Sequence, residues 1–263
     1  MSIEGIITAT LIIGLVGLFI GLLLGVAGKV FTVEVDEKEV AVRDLLPGNN
    51  CGGCGFAGCD ALAKAIASGE AEPDACPVAG SEKAEEISAV IGRKAGAKVK
   101  KVAFVKCTGT CENAKKKYNY EGLADCRKLS LIPGRGEKAC DFGCMGLGSC
   151  VRACPFDAIC IKDGIAYVDQ ETCKGCGQCV AICPNHLIEL RPLKEIFAVA
   201  CHSTAKGKDV KAVCSAGCIG CGICAKQCEF DAVTVENNLA YIDPDKCTGC
   251  GKCAQKCPVH VIC

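Results

Sequence analysis

Tryptophan is absent from this 263-residue sequence, and Phe, Trp and Tyr together make up only 5% of it. So few rings do not build a large conventional aromatic core, so bound cofactors are expected to act as folding nuclei. There is no net charge either, 30 basic residues balancing 30 acidic ones, and without a global basic field no nucleic-acid partner is expected. Histidine is scarce: His186, His202 and His260 are scattered outside any zinc or catalytic spacing and read as ordinary structural residues. No P-loop is present. The stretch Gly134-Arg-Gly-Glu-Lys-Ala139 matches G-x-G-x-x-A but follows a turn at Pro133 rather than a strand, which speaks against dinucleotide binding. No catalytic site of the chain's own is expected.

One apolar run is present. Between Glu4 and Lys29 lie 24 residues without a charge, long enough as a helix to span a hydrocarbon core of about 30 Å. A cleaved signal peptide is the competing reading, but there is no basic segment ahead of the run and it exceeds a usual signal core. A single membrane-spanning anchor is therefore expected. Gly17, Gly21 and Gly25 form a small-residue series where another helix can approach, although glycine is common in such helices. Reduced thiols suit the cytosolic side, so the long C-terminal part is expected to be cytoplasmic and the N-terminus outside.

Cysteine is the abundant residue. There are 27, falling in tight runs with two-residue gaps, the pattern of metal sites rather than of a disulfide framework. Residues 30–46 read as a short strand and helix, Asp60–Ser68 as a helix, and Gly69–Pro73 as its return turn. The Ala-, Lys- and Glu-rich segment Ser81–Lys101 reads as a solvated linker helix. From residue 140 onward the chain repeats itself at a constant offset of 74. Cys140, Cys144, Cys150, Cys154, Cys173, Cys176, Cys179 and Cys183 recur as Cys214, Cys218, Cys224, Cys228, Cys247, Cys250, Cys253 and Cys257. The runs VAFVKC (102–107) and IFAVAC (196–201) extend the likeness upstream, at a different spacing.

In the C-terminal copy, Cys218, Cys221, Cys224 and Cys228 follow C-x2-C-x2-C-x3-C, and Cys247, Cys250, Cys253 and Cys257 repeat it with Pro258 after the last. Three thiolates of such a run hold three corners of a cubane, and the fourth cysteine serves the other cluster. This predicts one [4Fe–4S] site on Cys218, Cys221, Cys224 and Cys257, and another on Cys247, Cys250, Cys253 and Cys228. The run resembles those of bacterial two-cluster ferredoxins, with Glu229 where proline usually follows. In the preceding copy Cys154, Cys173, Cys176 and Cys179 predict an equivalent site, but Leu147 stands where the repeat has Cys221. Cys140 is expected to complete Cys144, Cys150 and Cys183, with a three-iron cluster or an empty site as alternatives. The N-terminal set, Cys51, Cys54, Cys59 and Cys76-Pro77, carries glycines that let the backbone wrap a cluster and aim N–H groups at its sulfurs. Zinc is the competing metal for any four-thiolate site. Cys107, Cys111 and Cys126 are candidates for a sixth site with one or two later thiols; the alternative is that they, with Cys201 and Cys214, are buried or free thiols. Cys160 and Cys263 read as small hydrophobes. Five [4Fe–4S] clusters are thus expected, or six.

The order of apolar helix, CGGCGFAGC domain and tandem cluster modules resembles the B subunit of the Rnf complex, over nearly the whole chain. The resemblance implies an α+β chain with one N-terminal transmembrane helix (1–29), a small helical four-cysteine Fe–S domain (30–80), a linker helix (81–101), a cysteine-containing connection (102–139), and ferredoxin-like modules at 140–192 and 218–263 joined by a strand region (193–217). It implies an electron-transfer subunit of a membrane ferredoxin:NAD+ oxidoreductase, with reduced ferredoxin and other membrane and flavin-bearing subunits as partners and Na+ or H+ translocation coupled to the transfer. The competing readings are a polyferredoxin of another membrane oxidoreductase, such as a hydrogenase, and a zinc-stabilised membrane scaffold. Lys115, Lys116 and Lys117 are expected either to steer an acidic ferredoxin or to form a solvated helix face.

Overall fold

The computed structural model describes residues 3–31, 36–96, 99–193 and 197–263. Ile3–Val30 form helix α1, 28 residues or about 42 Å at 1.5 Å per residue. It is long and apolar enough to cross a membrane, its large apolar side chains such as Leu11, Leu15, Phe19 and Leu24 are exposed, and a Cβ added at Gly17, Gly21 or Gly25 would meet nothing within 4 Å. Part of the strand expected over residues 30–46 falls at 32–35, outside the described residues.

Three helices make the next unit: α2 (Glu37–Leu45), α3 (Cys59–Ser68) and α4 (Gly80–Ile91). Asp36 caps α2, its carboxylate accepting from the Lys38 N–H at 2.9 Å. Gly69 ends α3 in the left-handed conformation (φ 87°), and the Arg93 guanidinium donates to the Ile66 and Ala71 carbonyls at 2.8 and 3.2 Å. Arg43 of α2 is ion-paired with Asp60 of α3. The apolar faces meet in a core of Val42, Leu62, Ile66 and Ile87. Ile87 is 0% exposed. The segment expected as a solvated linker helix over 81–101 is thus helical only over Gly80–Ile91, where burial of Ala84 and Ile87 holds it against this unit. Residues 97 and 98 of that segment lie outside the described residues.

The rest is a mixed helix-and-strand body. Strand β1 (Lys101–Val105) opens it, followed by α5 (Cys126–Leu129), α6 (Ser149–Arg152), β2 (Ile159–Lys162), β3 (Ile165–Val168), α7 (Gln178–Ile182) and β4 (Ile188–Pro192). Then come α8 (Gly207–Val213), α9 (Ile223–Lys226), β5 (Val233–Glu236), β6 (Leu239–Ile242) and α10 (Lys252–Gln255). The 74-residue offset seen in the cysteines is kept by these elements: α6, β2 and β3 recur as α9, β5 and β6, and α7 as α10, one residue shorter. Each β-hairpin turns on two residues with positive φ, Asp163-Gly164 in one copy and Asn237-Asn238 in the other, as a two-residue loop between twisted strands requires.

The upstream runs also occupy equivalent places. β1 pairs antiparallel with β4, Val105 opposite Ile188, and Val199 bridges Ile262, the residue 74 beyond Ile188. Ile196 lies outside the described residues. What separates the copies is an insertion: Cys107 and Cys140 are 33 residues apart, Cys201 and Cys214 only 13. Part of the inserted segment ties the copies together, since the Lys115 N–H donates to the Val213 carbonyl and Ala114 bridges Cys214. Lys115–Lys117 are therefore extended rather than one face of a helix. Lys116 pairs with Glu137 at 3.1 Å and Lys117 with Asp141 at 2.6 Å. Arg191, 6% exposed, adds a second tie through its donation to the Ile242 carbonyl at 2.8 Å. The G-x-G-x-x-A stretch at 134–139 is a loop with no helix after it, lacking the strand–turn–helix frame a dinucleotide site needs.

Candidate cluster-binding sites

In both copies the core is built round cysteine rather than aromatic rings. Cys144, Cys150, Cys173 and Cys179 pack with Val102, Ile159 and Ile188, and Cys218, Cys224, Cys253 and Cys257 with Val199, Val233 and Ile242. Short helices beginning after left-handed glycines carry the central cysteines of each run inward: Gly148 precedes α6, Gly177 α7, Gly222 α9 and Gly251 α10.

The second copy has two thiol-lined cavities. One is lined by Cys218, Cys221, Cys224 and Cys257, the other by Cys228, Cys247, Cys250 and Cys253, the two sets expected from the spacing. Burial pushes the Cys224 thiol up to about 11 against the opposing Ala225 N–H, with Cys218, Cys221 and Cys257 adding to the rise. The loop before Cys221 runs against the hairpin: a Cβ on Gly220 (φ 64°) would come within 2.7 Å of the Asn238 carbonyl oxygen, and its counterpart Gly146 meets Gly164 in the same way. Only glycine fits.

In the first copy Cys179 is pushed up to about 12 by burial and then by Cys173, Cys176, Cys150 and Cys154, which places the expected set Cys154, Cys173, Cys176 and Cys179 together. The other set differs from expectation. The cavity that contains Cys144, Cys150 and Cys183 is lined by Cys126, not Cys140. Cys150 is pushed up to about 12 by burial first, then by Cys144, Cys126 and Cys183. The reason is a local network the second copy lacks. Ser149 stands where the repeat has Ile223, its hydroxyl accepts from the Cys126 N–H at 2.8 Å, and it donates to Asp125, the N-cap of α5, at 3.2 Å. Arg152 completes the clamp by donating to the Ala124 carbonyl at 2.6 Å.

Cys140 lines a separate cavity with Cys107, Cys201 and Cys214. The grouping of Cys107, Cys111 and Cys126 expected for a sixth site is thus not formed: Cys107 and Cys126 line different cavities, and Cys111 is exposed beside the β2–β3 turn, its N–H donating to the Asp163 carbonyl. The signals in the sequence are that Cys140 and Cys214 are equivalent at the 74-residue offset and that Cys107 and Cys201 both close a strand-like run; neither shows that the four meet.

The N-terminal set is brought together by α3 and its loops. Burial raises the Cys76 thiol, opposed by the Val78 and Ala79 N–H groups, and Cys54 and Cys51 raise it further. Cys59 opens α3 with its N–H on the Asn50 side-chain oxygen at 2.8 Å. The loop from Cys51 to Cys54 lies directly on the first copy, where the Gln178 amide donates to the Cys51 carbonyl and Cys51 is in electrostatic reach of Cys176.

The donor sets fit iron–sulfur clusters. Buried thiols that resist ionisation when unligated lose their protons to a metal centre, and amide N–H groups aimed at sulfur are the usual outer contacts of such clusters. A zinc ion, with Zn–S bonds of about 2.3 Å, needs its ligands drawn closely round one point. Among the described residues no group of three or more His, Cys, Asp or Glu side chains is drawn together to hold a single metal ion.

Comparison with known proteins agrees. The Fe-S cluster family model matches residues 46–78, and the 4Fe-4S dicluster domain model matches residues 172–232 and again 217–261. Over 261 residues the chain is 48% identical to the B subunit of the Na(+)-translocating ferredoxin:NAD(+) oxidoreductase complex of Acetobacterium woodii, covering 99% of this chain and 78% of that protein. It is 43% identical over 231 residues to the B subunit of the ion-translocating oxidoreductase complex of Methanosarcina acetivorans, covering 88% and 87%. With the B subunit of the proton-translocating ferredoxin:NAD(+) oxidoreductase complex of Clostridium ljungdahlii it shares 41% identity over 240 residues, covering 90% and 84%.

Proposed function

Because the chain belongs to the family of B subunits of ion-translocating ferredoxin:NAD+ oxidoreductase (Rnf) complexes, we propose that it accepts single electrons from reduced ferredoxin and relays them to the other membrane and flavin-bearing subunits of such a complex. In this reading the family decides against a polyferredoxin of some other membrane oxidoreductase. Five [4Fe–4S] sites are assigned to Cys51, Cys54, Cys59 and Cys76; to Cys126, Cys144, Cys150 and Cys183; to Cys154, Cys173, Cys176 and Cys179; to Cys218, Cys221, Cys224 and Cys257; and to Cys228, Cys247, Cys250 and Cys253. The two copies are ferredoxin-like modules. α1 anchors the chain, with the cluster-bearing part on the cytoplasmic side. As no ionisable residue lies between Glu4 and Lys29, Na+ or H+ crosses in partner subunits.

The observation that carries this reading is the convergence of thiols in fours on three apolar cavities, each set with at least one buried member. A four-iron cluster bound there supplies one-electron exchange without bond making. The residues supply the rest. The thiols fix each position, the apolar cores exclude water, and the backbone N–H groups stabilise added negative charge on sulfur. Contacts such as Gln178 to Cys51 hold neighbouring positions at constant separation.

The test is reduction of the full-length, detergent-solubilised chain by reduced ferredoxin under anaerobic conditions, followed by electron paramagnetic resonance and metal analysis. Iron with matching sulfide, and cluster signals that appear on adding reduced ferredoxin, are expected. Zinc in place of iron, or clusters that reduced ferredoxin leaves oxidised, would overturn the reading.

A further inference from the structure

We propose that Cys107, Cys140, Cys201 and Cys214 hold a further [4Fe–4S] cluster at the junction of the two modules, with two thiols drawn from each. This rests on the reading of the chain as a cluster-bearing electron carrier and adds a site to it.

All four thiols line one cavity. They are also mutual neighbours. Cys140 lies in electrostatic reach of Cys107 and Cys214, Cys107 of Cys201, and Cys201 of Cys140. Gly109 sits between two of them, so that an added Cβ would lie 3.5 Å from the Cys107 sulfur and 3.8 Å from that of Cys214. The set is twofold in pattern: Cys140 and Cys214 are equivalent at the 74-residue offset, and Cys107 and Cys201 each close the segment that meets β4 or its counterpart.

The surroundings are those of a site built for an anionic cluster. The Cys107 sulfur accepts from the Cys144 N–H at 3.3 Å and from the Gly109 N–H. Cys201 accepts from the equivalent Cys218 N–H and from Ser203, and Cys140 from Phe142 and Gly143. Among the described residues no carboxylate lines the cavity, but Lys138 does, only 6% exposed and donating to the Gly109 and Gly164 carbonyls at 2.7 Å each. A four-iron core held by four thiolates is negative overall, and a buried ammonium opposes that charge.

Position gives the site its role. Cys144 and Cys218, whose N–H groups reach Cys107 and Cys201, belong to the flanking thiol sets of the first and second module. An electron crossing from one module to the other therefore has a stepping position at their junction.

The experiment compares the full-length native chain, purified anaerobically in detergent, with the double variant Cys201→Ala/Cys214→Ala by iron and sulfide analysis and Mössbauer spectroscopy. The native chain is expected to contain about 24 irons and the variant about 20, with the signals of the remaining clusters kept. Equal iron in the two proteins would overturn the assignment. If the variant does not fold, the native count still decides, because about 20 irons, with or without a zinc ion, means that these four thiols hold no cluster. That result, alongside reduction by ferredoxin, would leave the electron-carrier reading standing, whereas a chain devoid of iron would remove both.

Discussion

The backbone N–H of Cys126 donates to the Ser149 hydroxyl at 2.8 Å, which brings a thiol from the inserted segment beside Cys150 on the following helix. Leu147 occupies the position where the repeat has Cys221, so the first copy lacks one thiol of its own run and gains one from the insertion.

Exchange of the two positions tests this. Cys126→Ala is expected to convert that cluster to a three-iron form or remove it, lowering the iron count by about one to four per chain. Leu147→Cys in the same background should restore the four-iron signal, because it rebuilds the run C-x2-C-x2-C. Cys140→Ala should leave this particular signal in place. Electron paramagnetic resonance of the three variants separates these outcomes.

Ser149→Ala removes the three hydrogen bonds of the Ser149 hydroxyl, those from the Cys126 N–H and the Arg152 guanidinium and that to Asp125, while keeping every thiol. A loss of about 1–3 kcal/mol in stability is expected, since the Cys126 N–H and one Asp125 contact lose a partner. The Cys126 cluster should also lose iron faster than the other clusters on exposure to a chelator, followed as iron release over time.

Gly53 approaches the first module so closely that an added Cβ would come within 2.5 Å of the Cys176 carbonyl oxygen. Backbone faces backbone there, so neither side can yield by changing a rotamer. Gly53→Ala should cost about 1–3 kcal/mol through overpacking and loosen the N-terminal unit from the module. Magnetic coupling between the reduced clusters on either side of this contact should weaken while the iron content stays unchanged.

Much of this architecture is legible in the residue order. The 74-residue offset carries over from cysteines to helices, hairpins and turn residues because each copy builds the same local geometry round the same thiols. The helix after Gly58 is also readable, from its apolar spacing and the glycine that ends it. Two features are not. Ser81–Lys101 looks solvent-facing from its charge content, yet the single fully buried Ile87 settles where α4 packs. The partners of Cys107 and Cys126 depend on where an inserted segment crosses from one copy to the other, a tertiary fact with no periodic signature, and the offset that relates Cys140 to Cys214 does not say that they meet. Ser149 in place of Ile223 is the one local hint.

Lys138→Met should lower the midpoint potential of the nearest cluster, because a buried positive charge favours the more negative, reduced state. The Gly109 and Gly164 carbonyls would each lose a donor, so stability should also fall by about 1–3 kcal/mol per carbonyl. A potentiometric titration with thermal unfolding of the same preparation checks both; an unchanged potential would show that the ammonium serves the backbone alone.

Cys107 and Cys140 on one side and Cys201 and Cys214 on the other meet across a shared cavity, and that makes the chain indivisible where its sequence looks most modular. A gene cut between the copies would part these four thiols two and two. Neither copy owns the place where they touch.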